Sequence, residues 1–255
     1  MGTRRATPYV GLHVGSRLAR PRVFTFAAPC VDVTRPMRSR PDVAAIVPAG
    51  GRSPVDSGSP MGSRLDVAAI VLAGGRSRRF GRDKLQAELA GLPLLHHTVR
   101  TAREVCDEVV VVAAHGGALP DLSALDARLV RDRLDDEGPL AGAVTGLGAV
   151  RAPRALLLAG DAPHVPACLL TALGAEPLAG ALALSFEGRA WPMPSRLDVA
   201  TALVAAERLL ASGERRLRVL LGVLEATSLD EAWWRPLDPS GEWMRDVDRP
   251  EDLAS

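Results

Sequence analysis

No uninterrupted apolar run in this 255-residue sequence approaches the roughly 18 residues that a membrane helix needs. Cysteine is scarce. Cys30, Cys106 and Cys168 are widely spaced, which fits a reducing compartment and supplies neither a disulfide framework nor a zinc pattern. Cys106 lies among apolar neighbours and is expected in the core. Net charge is nearly absent too: a formal +1 gives no argument for a nucleic-acid or membrane partner. Arg4-Arg5 opens the chain, but Arg17, Arg20 and Arg22 break up any apolar stretch that follows, so no signal peptide is expected and the cytoplasm is the expected location. Two familiar phosphate-binding patterns are missing as well. No Gly-Lys-Ser/Thr closes a glycine loop, which excludes a Walker loop, and no Gly-x-Gly-x-x-Gly spacing marks a dinucleotide fold.

What remains is an ordinary soluble composition, 47% hydrophobic and 24% charged, with one uneven feature. Residues 1–60 hold nine arginines against Asp32, Asp42 and Asp56, a balance of +6, so the rest of the chain carries −5. Ser39–Ser53 nearly duplicates Ser63–Ser77, differing only at Pro41/Leu65 and Pro48/Leu72. With two copies and nothing similar downstream, this is not a repeat protein. Pro48 removes a backbone donor at the end of the first copy's strand. Past Ser53 that copy also lacks the Arg-Arg and Asp-Lys that follow the second. Residues 1–62 are therefore expected to be a disordered extension, either upstream sequence outside the native product, since Met61 directly precedes the working copy, or a small regulatory arm. Residues 63–255, of a length that suits one domain, are expected to carry the activity.

The most informative segment follows the apolar run Val67–Leu72, which reads as a buried strand. The chain turns through Gly74-Gly75 and presents Arg76, Arg78, Arg79, Arg82 and Lys84 within nine residues. Glycines let backbone N–H groups approach a phosphate, and the cations meet its remaining charge. Together they point to a nucleoside triphosphate. Further strands are predicted at Val109–Ala113, Arg128–Val130, Ala155–Leu158 and Ala181–Phe186, and helices at Pro93–Val105, Leu140–Val150, Pro166–Leu173 and Asp198–Ala211. Strands alternating with helices predict a three-layer α/β/α sandwich with a mostly parallel, Rossmann-like sheet. Ligands bind such sheets at the carboxyl ends of the strands, where the glycine loop and Asp161 both fall.

Leu72-Ala-Gly-Gly with Arg79 and Gly81-Arg-Asp-Lys84 resembles the nucleotide loop of the nucleotidyltransferases, and within them the molybdenum cofactor guanylyltransferases. Gly138-Pro-Leu-Ala-Gly142, Leu156–Pro166 with its strand ending in Asp161, Ser212–Leu217 and Asp246–Leu253 match further segments of that family in order. The resemblance implies transfer of GMP from GTP to the phosphate of molybdopterin, with pyrophosphate released and Mg²⁺ as cofactor. It also implies a hand-over to molybdoenzymes or their chaperones.

It assigns Arg79, Lys84 and Asp161 to catalysis. Leu72, Ala73, Gly74, Gly75, Lys84, Asp132 and Asp161 fall to the nucleotide, and Asp161 with Asp248 to the metal, Asp246 being the other candidate for the second carboxylate. Each has a plainer alternative: salt bridges of Arg79 and Lys84 with Asp83 or Glu88, a turn aspartate at 161, a solvated loop charge at 132. One departure is visible. The family often carries asparagine at the end of the second strand, where this chain reads Val112-Ala-Ala-His115, and His115 is the candidate replacement. Three rivals stay open: a cytidylyltransferase of the same cofactor, another NTP-using nucleotidyltransferase, and a nucleotide-binding accessory protein without turnover. His96 and His97 are expected on a helix surface. Trp233, Trp234 and Trp243 are expected to cover the core. Gly213–Arg216 is either a phosphate-receiving segment or a solvated helix start.

Overall fold

In the computed structural model, the described residues are 66–74, 84–132, 138–245, 247 and 252. The expected extension at 1–62, the near-repeat, Gly75, Arg79, Asp246 and Asp248 lie outside them. So does the first of the two units into which the chain divides, Met1–Val43; the elements that follow all belong to the second, Ala44–Ser255.

Seven strands form one sheet. They are β1 (Ala68–Ala73), β4 (Val109–Ala113), β5 (Arg128–Arg131), β6 (Arg154–Ala159), β7 (Leu182–Phe186), β8 (Arg189–Asp198) and β9 (Thr227–Leu229), in the order β5-β4-β1-β6-β8-β7-β9. A short hairpin, β2 (Glu88–Leu89) with β3 (Leu92–Pro93), precedes the first helix. Its two-residue loop has positive φ at both Ala90 (50°) and Gly91 (78°), the geometry that suits the twist of a tight hairpin. β1 pairs parallel with β4 and β6, and β4 with β5; β8 runs antiparallel to both neighbours, and β9 parallel to β7.

Side chains alternate between the two faces, as the pleat requires. Val67, Ala69, Val71, Val109, Val111, Leu156 and Leu158 meet α1 (Leu94–Val105) and α3 (Ala167–Ala175). Ala68, Ile70, Leu72, Val110, Val112 and Leu157 meet α2 (Gly138–Leu147), α4 (Val199–Ala211) and α5 (Leu217–Val223). The sheet is thus covered on both sides, which is why β1 is buried along its whole length and reads as a continuous apolar run. The three-layer, mostly parallel architecture expected from the sequence is the one found.

The β2–β3 hairpin, β9 and β8 were not predicted from the sequence. β8 contains Pro192 and Pro194, which argue against a central strand because proline cannot donate to the ladder. The structure accommodates them. Pairing with β6 is confined to Ser195–Asp198, and the pairing with β7 is irregular between Ala183 and Ser185. The seven-residue helix α5 begins at Leu217, directly after the Gly213–Arg216 segment that the sequence offered as a helix start. Trp234 and Trp243, fully buried and edge-to-face at 5.5 Å, close the α1/α3 face, as expected of them. His96 and His97 brace loops through contacts of 2.8 Å with the carbonyl oxygens of Asp121 and Leu89.

Candidate active site

Chain order places β4 and β5 on one side of β1, and β6 on the other. The crevice at such a reversal, outside the carboxyl ends of the strands, is the binding site of open α/β sheets. Four strand ends meet there. β1 delivers Ala73 and Gly74, β4 delivers Ala114 and His115, β5 delivers Asp132, and β6 delivers Gly160 and Asp161.

Backbone pairing continues past the strands and fixes these positions. The Gly160 N–H donates to the Leu72 carbonyl at 2.9 Å, and that of Asp132 to the Ala113 carbonyl at 2.8 Å. A Cβ on Gly160 would sit 3.0 Å from the Leu72 carbonyl oxygen and 3.1 Å from Leu95 Cδ1, so glycine lets Asp161 lie this close to β1 without displacing either. Leu72, expected at the nucleotide, spends its carbonyl on Gly160 and packs its side chain toward Gly142 of α2. Gly74 differs: a Cβ there would make ordinary contacts with Ala114 at 3.6 and 3.8 Å, so the fold does not demand glycine at 74.

Lys84 and Asp161, 77 residues apart in sequence, meet at 2.8 Å between Nζ and Oδ2. The Lys84 side chain is 9% exposed and that of Asp161 33%. Lys84 is the chain's only lysine among 31 basic residues. A compact ammonium with rotatable donors, unlike a planar guanidinium, can address a carboxylate or a phosphate from the same position. The turn at Lys84–Gln86 is tied to the hairpin: the Ala87 N–H donates to the Lys84 carbonyl at 3.0 Å, and Leu94 N–H to that of Ala87 at 2.9 Å. Val247 is buried against Ala87 and Leu94, and its N–H reaches the Asp161 carbonyl at 3.5 Å, so this residue covers the same corner. Next to it, burial and the charge of Arg245 hold the His164 imidazole below its ordinary value, favouring the neutral ring.

At the other end of the crevice, Asp132 Oδ1 accepts 2.7 Å from Thr145 Oγ1 on α2. α2 lies close because Gly146 faces the sheet; a Cβ there would approach Ile70 Cγ2 to 2.4 Å. His115 Nδ1 lies 3.3 Å from the Asp132 carbonyl oxygen. The carbonyls of Ala114, His115 and Gly117 all accept from Arg131 Nη1, at 3.3, 3.4 and 2.9 Å. The place expected to hold asparagine is therefore apolar through Ala114, with His115 clamped beside Asp132.

A family model for the MobA-like NTP transferase domain matches residues 69–229, most of the chain and every strand of this sheet. The chain belongs to the MobA-like NTP transferase family. It is a nucleotidyltransferase. Molybdenum cofactor guanylyltransferase from Burkholderia orbicola is 35% identical over 72% of this chain and 83% of its own length. The protein of that name from Pseudomonas putida is 37% identical over 56% and 75%. In fold, the chain is similar to the crystal structure of molybdopterin-guanine dinucleotide biosynthesis protein A from Archaeoglobus fulgidus. The TM-score is 0.60 at 22% identity, over 74% of this chain and 95% of that one.

In this MobA-like transferase the structure brings together Ala73, Gly74, Lys84, Asp132 and Asp161. Thr145, Arg131 and the Lys84–Asp161 contact were missed by sequence reasoning. Of the segment Gly213–Arg216, Arg216 is turned to Glu214, 2.7 Å between Nη2 and Oε2, and the Arg215 carbonyl accepts from Leu140 N–H of α2 at 3.3 Å. Hydrogen bonds from the Arg216 side chain and from two backbone N–H groups pull the Glu214 carboxyl down to about 2.

Proposed function

We propose that this transferase moves GMP from GTP onto the phosphate of molybdopterin, releases pyrophosphate, and works in the cytoplasm, handing its product to molybdoenzymes or their chaperones. The observation that carries the reading is the Lys84–Asp161 contact at the switch-point crevice, with Asp132 at the far end of the same row of strand ends. A phosphate oxygen of the acceptor attacks the α-phosphorus of GTP. The new P–O bond forms as the bond from that phosphorus to the bridging oxygen of the β-phosphate breaks, and the electron pair leaves with pyrophosphate. Both reactants are anions, so the protein must neutralise charge and hold them in line.

Lys84 meets the phosphates, exchanging its carboxylate partner for theirs. Gly74 leaves room for them over the end of β1. Asp132, held by Thr145, offers its second oxygen to the donor's guanine edge or a ribose hydroxyl. The residues present fit Mg²⁺. Asp161 is a hard oxygen donor, one third exposed, whose contact with Lys84 uses only Oδ2. Among the described residues no group of three potential metal ligands collects. One carboxylate completed by phosphates and water is the usual arrangement for this ion. Asp161, with Asp248 as second ligand, would hold it, and bound Mg²⁺ would offset charge on the triphosphate and the departing pyrophosphate.

Pyrophosphate release measured with GTP, CTP, ATP and UTP, each with and without molybdenum-loaded molybdopterin, tests the reading. Acceptor-dependent release with GTP is expected. Release dominated by CTP would reassign the donor, and nucleotide binding without release would leave an accessory protein.

A further inference from the structure

Asp132 stands at the end of β5 on a backbone that is already fixed. Its N–H donates to the Ala113 carbonyl at 2.8 Å, and its carbonyl oxygen lies 3.3 Å from His115 Nδ1. Arg131, just before it, donates to the carbonyls of Ala114, His115 and Gly117. What this leaves free is the carboxylate, a half-buried group on two rotatable bonds. Freezing such a group only when a ligand arrives costs affinity. Among the described residues its one side-chain partner is the Thr145 hydroxyl, which donates to Oδ1 at 2.7 Å.

Thr145 makes this contact in place of the usual one. A threonine within a helix ordinarily turns its hydroxyl to the carbonyl four residues back. Thr101 of α1 and Thr171 of α3 do so, donating to the carbonyls of His97 at 3.1 Å and Ala167 at 2.9 Å. Thr145 of α2 donates across to β5 instead. The helix is within reach because two glycines face the sheet. A Cβ would come to 2.4 Å from Ile70 Cγ2 at Gly146, and to 3.4 Å from Leu72 Cδ2 at Gly142. At Gly142 the missing Cβ also leaves space beside Asp132 Oδ2, which it would approach to 3.9 Å.

We infer that Thr145 is a positioning residue for the nucleotide donor: its hydroxyl pins the Asp132 carboxylate by Oδ1 and so keeps Oδ2 set for the donor before the donor arrives. The inference rests on the proposed contact between Asp132 and the donor. It needs no acceptor, so it is tested by binding alone.

GTP binding to the full-length protein, with Mg²⁺ and without acceptor, is measured by calorimetric titration. The wild type is compared with Thr145→Val, Thr145→Ala, Thr145→Ser, Asp132→Ala and the double variant Thr145→Val/Asp132→Ala, with a thermal melt of each. Valine keeps the shape and the β-branch and removes only the donor. Alanine, the better helix former, repeats the test with a smaller side chain. Both should weaken GTP binding about fivefold, the worth of one side chain ordered on binding. Thr145→Ser keeps the hydroxyl and should bind as the wild type does. Asp132→Ala should weaken binding about tenfold or more, the loss of a hydrogen bond to a charged group. Thr145→Val should then add nothing, because the group it positions is gone. A residue that only ties α2 to β5 would lower the melting temperature and leave GTP affinity alone.

Wild-type GTP affinity in Thr145→Val or Thr145→Ala overturns the inference. So does Thr145→Ser binding as weakly as Thr145→Val, or a Thr145→Val loss that persists without Asp132. Wild-type affinity in Asp132→Ala overturns the inference and the proposed Asp132 contact together. The same titrations with CTP keep the donor's identity separate. If the wild type prefers CTP, the guanine reading fails and Thr145 is judged by the same losses on CTP. A wild type that binds neither nucleotide overturns the inference as well. Failure of molybdopterin to draw pyrophosphate from GTP would sink the proposed reaction and leave the binding result standing.

Discussion

Asp161→Asn removes a charge at nearly constant volume, and the structure says how that loss divides between fold and chemistry. Lys84 Nζ is 2.8 Å from Asp161 Oδ2, the lysine side chain 9% and the aspartate 33% exposed. At that separation two unit charges attract by about 6 kcal/mol at an effective dielectric constant of ~20, and by about 1.5 kcal/mol in water. The exposure of Asp161 pulls the figure toward the lower value, and desolvation of the ammonium offsets part of the rest. A net loss of about 2 kcal/mol in stability follows, the usual worth of a hydrogen bond between charged groups. A domain of ordinary stability, about 5–15 kcal/mol, survives that.

Chemistry loses more. Removing a group that stabilises charge in the transition state costs roughly 3 kcal/mol or more, about a hundredfold in rate. Initial rates of pyrophosphate release at saturating GTP and Mg²⁺, alongside urea unfolding of the same preparation, separate the two losses. Lys84→Met and the double variant complete a cycle whose coupling in stability should be about 2 kcal/mol. Near wild-type turnover in Asp161→Asn at saturating Mg²⁺ would refute the metal-ligand role. A rate loss no larger than the loss of folded protein would refute it equally.

Two glycines separate fold from site. Gly146→Ala puts a Cβ 2.4 Å from Ile70 Cγ2, and overpacking should exceed the gain in helix propensity and cost about 1–2 kcal/mol in a thermal or urea melt. Gly74→Ala meets nothing closer than 3.6 Å and should change stability by less than about 0.5 kcal/mol while weakening GTP binding in a calorimetric titration. Arg196 is buried and donates to the carbonyls of Glu176, Leu178 and Gly180. Arg196→Met orphans those acceptors and should cost about 2–4 kcal/mol in urea unfolding with the KM for GTP unchanged. The Glu214 carboxyl should titrate at about 2 by NMR. Its folded value lies below that of an unfolded glutamate, so its contribution to stability is present above about pH 4 and lost as pH falls toward 2. Arg216→Gln should move the midpoint back up, and an ordinary glutamate midpoint in the wild type would contradict the geometry.

The parallel core was legible because its strands are continuous apolar runs buried on both faces, as at Ala68–Ala73 and Val109–Ala113. β8 was not, because Pro192 and Pro194 carry the signature of a chain break and only the tertiary ladder shows that they occupy its irregular stretch. Of the site, Asp132 and Asp161 were legible as residues that end strands. Their partners were not. Local spacing pairs Lys84 with Asp83 or Glu88, whereas folding brings it to Asp161 from 77 residues away. Thr145 reaches Asp132 because α2 rides close over the sheet on Gly146, a fact of helix packing that leaves no local sequence signal. Trp234 and Trp243 were placed correctly in the core, but that Trp243 also walls a cavity beside Asp161, together with Trp191, depends on the antiparallel course of β8.

Transfer of a nucleotidyl group from GTP to a molybdopterin phosphate at the Lys84–Asp161 corner leaves a distinct fate for each phosphorus of the donor. Two parallel reactions with molybdopterin test it most directly, one with GTP carrying radioactive phosphorus at the α-position and one with the label at the γ-position. The α-label should appear in a pterin dinucleotide and the γ-label in pyrophosphate, in equal amounts, with both yields collapsing in Asp161→Asn. A γ-label found in the pterin product, or released as inorganic phosphate with the α-label left in GDP, would contradict it.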